Sequence, residues 1–151
     1  PGDRAMKSRF VLCFAIVAFA CSAVAVTAAV KEAKDAACPV SGHGCDPGAS
    51  ADFDGGKVYF CCEKCIGAFE GEKTKFAAKA HQQMVTTGQL VQKGCPFSGN
   101  PVKPGTQISI GDAEVGFCCP GCKSKVEKAS PEDQVAMVFG KIEKGFKPAA
   151  K

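Results

Sequence analysis

After Arg9 the chain contains no arginine, and its only histidines are His43 and His81. Proteins that read DNA or RNA lean on arginine forks for phosphates and base edges, so this deficit argues against a nucleic-acid partner. So few histidines also leave little material for acid–base catalysis. No Ser-His-Asp set, no paired carboxylates and no phosphate-cradling loop can be assembled, and a hydrolase would need such a set. The chain is therefore not expected to be an enzyme, with thiol redox chemistry the one activity left open. Net basic charge is small too. Arg4, Lys7, Arg9 and Asp3 near the start carry a net +2, so only +2 of the formal +4 belongs to the rest.

Long apolar runs are confined to one place. Residues Phe10 to Val30 are almost all apolar or small, follow the basic Lys7 and Arg9, and end in Thr27-Ala28-Ala29. That order is the pattern of a secretory signal peptide, expected over residues 1–29, with Met6 as a possible true start. The protein is accordingly expected to be secreted or periplasmic. A retained membrane anchor is the alternative, since a spanning helix needs a run of roughly 18 apolar residues. A lipoprotein anchored through Cys21 ranks last, because Phe19 fits such a signal poorly. The membrane would be met only through an uncleaved leader.

Cysteine is what the remainder has in abundance. Nine of the 11 cysteines fall after the leader, at Cys38, Cys45, Cys61, Cys62, Cys65, Cys95, Cys118, Cys119 and Cys122. They are set in a duplication. Cys38-Pro39-Val40-Ser41-Gly42 overlays Cys95-Pro96-Phe97-Ser98-Gly99 at an offset of 57 residues. The same offset places Pro47-Gly48 on Pro104-Gly105, Val58 on Val115, Phe60 on Phe117, and Cys61, Cys62 and Cys65 on Cys118, Cys119 and Cys122, without a gap. Two tandem units follow, over residues 36–87 and 95–146, with 88–94 as a linker. A unit of roughly 50 residues buries too little apolar area to stand alone and usually needs a metal, disulfides or a partner.

Each unit reads as small α+β: a cysteine turn, a β-hairpin and a C-terminal helix. Pro and Gly punctuate the Cys-Pro-x-Ser-Gly turn. Strands are expected at 51–53 and 57–60 around Asp54-Gly55-Gly56, and at 107–110 and 114–117 around Gly111-Asp112. Ser130-Pro131-Glu132-Asp133 has the form of a helix start, and Val135, Val138, Phe139, Ile142 and Phe146 then recur at helical spacing. Phe69, Phe76, Ala80 and Met84 line the first unit's helical stretch as core, and His81 is expected on a helix surface.

In each unit one cysteine lies in the turn and two more lie four apart at the junction of strand and helix. Residues four apart share a helix face, so three thiolates can converge: Cys38, Cys61 and Cys65, then Cys95, Cys118 and Cys122. Soft thiolates suit Zn²⁺ or Cu⁺. The spacing Cys38-x22-Cys61-x3-Cys65, repeated as Cys95-x22-Cys118-x3-Cys122, resembles the TRASH domain and its relative the YHS domain. Val58-Tyr59-Phe60-Cys61-Cys62-Glu63-Lys64-Cys65 and Val115-Gly116-Phe117-Cys118-Cys119-Pro120-Gly121-Cys122 are similar to that family's hydrophobic-Phe-Cys-x-x-x-Cys stretch, and Phe69 and Val126 fill its next apolar place. The resemblance implies two tandem treble-clef-like modules engaged in metal sensing, trafficking or resistance. It also implies a metal ion as ligand, and a metal transporter or another exported protein as partner.

Two departures from the family leave the site's composition open. Ser41 and Ser98 stand where the related ribosomal treble clef has a second cysteine. Cys62 and Cys119 adjoin a ligand cysteine and, being neighbours in sequence, are expected to aim elsewhere. His43 and Cys45 could complete the first site, whereas Asn100 and Val102 take their places in the second. Against metal binding stand a disulfide-stabilised interaction module and a thiol–disulfide protein using the Cys62–Cys65 and Cys119–Cys122 pairs, since Cys-x-x-Cys at a helix start is also a redox arrangement.

Overall fold

A computed structural model describes residues 32–150, so the leader expected over 1–29 lies outside the described residues. Among the described residues the protein is a small mixed α+β fold with four α-helices and three two-stranded antiparallel sheets. No helix among them is long and apolar enough to cross a membrane.

The first hairpin joins β1 (Asp46–Phe53) to β2 (Gly56–Phe60). Asp54 and Gly55 both turn at positive φ, 45° and 79°, the conformation that lets a two-residue loop match the strand twist. Gly56, expected in the turn, is instead the first residue of β2, paired with Phe53. The first strand also reaches back further than expected, to Asp46, through an irregularity before Ser50. The second hairpin is shorter: β4 (Ile108–Ile110) and β5 (Ala113–Val115). It stops short of the expected Phe117 because side chains claim the next backbone groups. Gln92 binds the N–H and C=O of Gly116, and the Thr106 hydroxyl accepts from the N–H of Phe117 at 3.1 Å.

Helices follow both hairpins. In the first unit α1 (Glu63–Gly71) gives way at Glu72 to α2 (Lys73–Thr86). In the second, α3 (Pro120–Glu127) precedes α4 (Pro131–Phe139). Ser130 caps α4, its hydroxyl accepting from the N–H of Asp133 at 3.2 Å, with Pro131 at the first helical position where no N–H is needed. The helix does not run on to Ile142 and Phe146 as the spacing predicts. It ends at Gly140, whose backbone freedom makes helix continuation costly, and Phe146 opens β6 (Phe146–Pro148). Phe146 still packs on Phe139, ring centroids 5.6 Å apart, so its apolar role survives the change of element.

The stretch 88–94, expected to be a linker, carries β3 (Leu90–Gln92), which pairs with β6. That sheet ties the end of the first unit to the end of the second. Helix α2 packs against α4, and Val85 and Ile142 each lie against both apolar cores. One core is built on Val58, Phe60, Phe69 and Met84, the other on Val115, Phe117, Val126 and Phe139. An isolated two-stranded hairpin is marginal in water, and here each is backed by helices, the first by α1 and α2, the second by α4 and by α2 of the first unit.

His81 is a correction to the sequence reading. Far from a surface residue, it is buried on α2, with Nδ1 2.8 Å from the carbonyl oxygen of Phe139 and Nε2 2.7 Å from Oδ2 of Asp54. It joins the first hairpin turn to the end of the second unit's last helix.

Candidate metal centre

The two cysteine turns are alike in detail. In the first, the Gly42 N–H donates to Cys38 O at 2.8 Å and the Cys38 N–H to His43 O at 2.7 Å. In the second, Gly99 donates to Cys95 O and Cys95 to Asn100 O, both at 2.8 Å. Gly42 and Gly99 close the turns at φ 77° and 75°, where a side chain would be strained. Each turn sets a buried cysteine against the end of its unit's hairpin.

The remaining sulfurs arrive from the strand–helix junction. Cys61 and Cys62 follow β2, Cys62 standing just before α1, and Cys65 lies in the first turn of that helix. Cys118, Cys119 and Cys122 repeat the arrangement at α3. The sulfurs of Cys38, Cys61 and Cys65 all lie within 4.8 Å of one another, and so do those of Cys95, Cys118 and Cys122. Cys61 and Cys65 are 3.5 Å apart, Cys118 and Cys122 3.8 Å. Sulfurs bound to one zinc at about 2.3 Å in a tetrahedron are about 3.8 Å apart, so each donor set has the size and softness that such an ion needs. All nine cysteines of residues 32–150 are free thiols.

Electrostatics favour a cation at both places. Burial pushes the Cys38 thiol up, but the Ser41 hydroxyl and the backbone N–H groups of Ser41, Cys61 and Val40 outweigh it and bring the group down to about 7. Cys95 behaves alike. Burial raises it, and the N–H groups of Cys118, Ser98 and Phe97, with the Ser98 hydroxyl, hold it at about 6. Burial and then the neighbouring thiols Cys61, Cys62 and Cys38 push Cys65 up to about 12, and burial with Cys119, Cys118 and Cys95 does the same to Cys122. Gathering three thiolates therefore carries a repulsion that a bound cation would turn into attraction.

Ser41 Oγ lies 3.2 Å from Cys61 Sγ, and Ser98 Oγ 3.3 Å from Cys118 Sγ. Each hydroxyl is oriented by the N–H two residues on, from His43 at 3.3 Å and Asn100 at 3.2 Å. The serines thus border both triads. Cys62 comes closer than expected, its sulfur 3.8 Å from those of both Cys61 and Cys65. Its thiol is lowered, first by the N–H of Cys65 and then by the thiols of Cys61 and Cys65; Cys119 is lowered in the same manner, first by the N–H of Cys122.

His43 and Cys45 are not drawn into the first triad. His43 is exposed, and its backbone alone is engaged in the turn. Cys45 is buried, with Sγ 3.2 Å from Tyr59 O and accepting from Gln83 Nε2 at 3.4 Å. Burial and the charges of Cys38 and Cys61 raise its thiol to about 12. Its counterpart Val102 packs against Gly116, the counterpart of Tyr59, so this position serves packing in both units.

Two glutamines escaped the sequence reading. The Gln83 amide accepts from Tyr59 N at 2.7 Å and donates to Tyr59 O at 2.8 Å and Ala37 O at 2.9 Å. The Gln92 amide accepts from Gly116 N at 2.9 Å and donates to Gly116 O at 2.6 Å and Gly94 O at 2.9 Å. Each clamps the residue before the turn cysteine to the residue two before the first junction cysteine. Nothing in the repeat marks them, because Gln83 aligns with Gly140 and not with Gln92.

Comparison with protein-family models, with curated proteins and with solved structures finds no match to this chain.

Proposed function

We propose that the protein is an exported carrier of a soft metal ion, Zn²⁺ or Cu⁺, held by Cys38, Cys61 and Cys65 in one unit and by Cys95, Cys118 and Cys122 in the other. The observation that carries this reading is the recurrence, in two units, of three sulfurs within 4.8 Å of one another, borne on equivalent turns and helix starts. A disulfide staple would have no need to bring three sulfurs to one point. The resemblance to TRASH and YHS domains supports a treble-clef-like module and a role in metal trafficking, sensing or resistance. A metal transporter or another exported protein is the partner that such a role requires. With three sulfurs and a serine at each site, trafficking is favoured over a purely structural role, because structural zinc sites usually close with four strong ligands.

The test is native mass spectrometry of the intact chain, with thiols counted by alkylation before and after chelation. Two ions per chain, released by chelator with all nine thiols of residues 32–150 then alkylated once the chain is unfolded, is the expected result. Metal-free protein with disulfides in its place would overturn the reading. A second reading rests on the 3.8 Å approach of Cys62 to Cys65 in a Cys-x-x-Cys pair at a helix start. That pair could serve thiol–disulfide exchange, and reduction of insulin disulfides by the metal-free protein would favour it.

A further inference from the structure

The first unit holds two sulfur triangles that share an edge. The inner one is Cys38, Cys61 and Cys65, with Cys38 only 2 % exposed. The outer one is Cys61, Cys62 and Cys65, with sides of 3.8, 3.8 and 3.5 Å and with Cys62 exposed to solvent. Both have the dimensions of a soft-metal donor set, since sulfurs on one ion stand about 3.8 Å apart. The shared edge is Cys61–Cys65. We propose that Cys62 is the exchange ligand of this site, the thiol through which a soft metal ion carried by another thiol-bearing molecule is taken up and given back. The inference rests on the metal-binding reading and adds the route by which the cargo passes.

The step is a ligand substitution without redox change. Cys62, the most exposed cysteine of the outer triangle, gives up its proton to water and forms a metal–sulfur bond as a donor thiolate leaves with its electron pair. Cys61 and Cys65 then displace the donor's remaining ligands one at a time, each thiol losing its proton to water as its metal–sulfur bond forms and each displaced ligand leaving with its electron pair, so that the cargo rests on the outer triangle. Cys38 next forms its bond while the bond to Cys62 breaks, and the Cys62 sulfur retains its electron pair and returns to solvent as thiolate or, on taking a proton from water, thiol. Release runs in reverse. Three sulfurs stay engaged as Cys38 replaces Cys62, so the passage between the two triangles never goes through a two-coordinate state. A site that relied on Cys38 for capture would have to present a buried sulfur to an incoming molecule. Cys119 stands before α3 in the same extended backbone conformation, φ −160° and ψ 161° against −168° and 166° for Cys62, which gives the second unit the same option.

The experiment is stopped-flow transfer of Zn²⁺ or Cu⁺ from a chromophoric chelator to the full chain, alongside equilibrium competition with the same chelator. The first-unit phase is identified as the one lost in Cys61→Ser. Cys62→Ser, a change at an exposed side chain, is expected to slow that phase by about tenfold or more while leaving first-site affinity within about twofold, the pattern of an interaction made only along the way. An unchanged rate would overturn the proposal, and so would a loss of affinity as large as that of Cys61→Ser, which would make Cys62 a resident ligand. No transfer to the unsubstituted chain would overturn the metal reading itself, and this inference with it.

Discussion

Gln83 and Gln92 make the same clamp from positions that the repeat does not relate. Each amide bonds in both directions to the backbone of one residue, Tyr59 or Gly116, and reaches across to the carbonyl of Ala37 or Gly94. These contacts hold the turn cysteine beside the junction cysteines. The duplicated frame has been braced twice, once from α2 and once from β3. Gln83→Ala should weaken the first site by about tenfold and Gln92→Ala the second by a similar factor, since several hydrogen bonds of about 1 kcal/mol each are lost. Competitive titration, with the affected site identified by Cys61→Ser or Cys118→Ser, checks it. Equal weakening of both sites by either change would show that the clamps act on the whole fold and not on one triad.

His81 joins the halves in a different way. Its two ring nitrogens face Asp54 Oδ2, on a half-exposed side chain, and Phe139 O, in a buried contact, one from each unit. His81→Ala would leave the Phe139 carbonyl without that partner and open a void, at a cost of about 2 kcal/mol or more. Denaturant unfolding of the unsubstituted chain is expected to show one transition reported alike by both units, given the β3–β6 sheet and the α2–α4 packing. Chains cut within 88–94 should be poorly folded singly and regain structure when mixed. Two separated transitions, or halves that fold alone, would show the two units to be independent modules.

Much of the site and part of the fold were legible because they depend on local chemistry. The gapless repeat located both hairpins and both triads, and Ser130 with Pro131 marked the start of α4. What could not be read depends on distant partners. β3 and β6 are three residues each, too short for a periodic pattern, and they exist through pairing with one another. Phe146 matched the helical period by coincidence, and only Gly140 hinted that the helix would stop. His81 and Gln83 are polar residues buried by tertiary contacts, and Gln92 is half-buried by them, which no window along the chain reveals.

Accessibility and thiol acidity together set an order of reaction with iodoacetamide in the metal-free protein. Cys62 is exposed and its thiol is lowered by the N–H of Cys65, so it should be alkylated first. Cys45 is buried and its thiol raised to about 12, so it should be last. Cys95 separates the two influences. Its thiol is lowered to about 6 but the residue is fully buried, so it should react slowly until the chain unfolds. Peptide mass mapping over time gives the order. Early labelling of Cys45 would mean that its pocket opens, contrary to the packed contact with Tyr59 and Gln83.

Replacing the serines tests what closes each site. Ser41 Oγ and Ser98 Oγ stand 3.2 and 3.3 Å from a cysteine of their triad, on the same turn as Cys38 or Cys95. A hydroxyl is a weak ligand for a soft ion and holds its proton near neutral pH, so it borders the triad without matching the sulfurs as a donor. Ser41→Cys or Ser98→Cys changes one atom at a position already aimed at the cluster. Each substitution should convert three sulfurs to four and raise Zn²⁺ affinity at its own site by about tenfold or more, because zinc prefers a closed tetrahedron of thiolates. Closure should have a kinetic cost. With four resident sulfurs the cluster offers no free position to an incoming donor, so release to a competing chelator should slow even where affinity rises modestly. Calorimetric titration of each variant, with cobalt substitution to display the tetrahedral thiolate spectrum, measures both effects. Unchanged affinity and an unchanged cobalt spectrum in both variants would mean that the serine side of the cluster points away from the bound ion, and that the opening lies toward Cys62 and Cys119 instead.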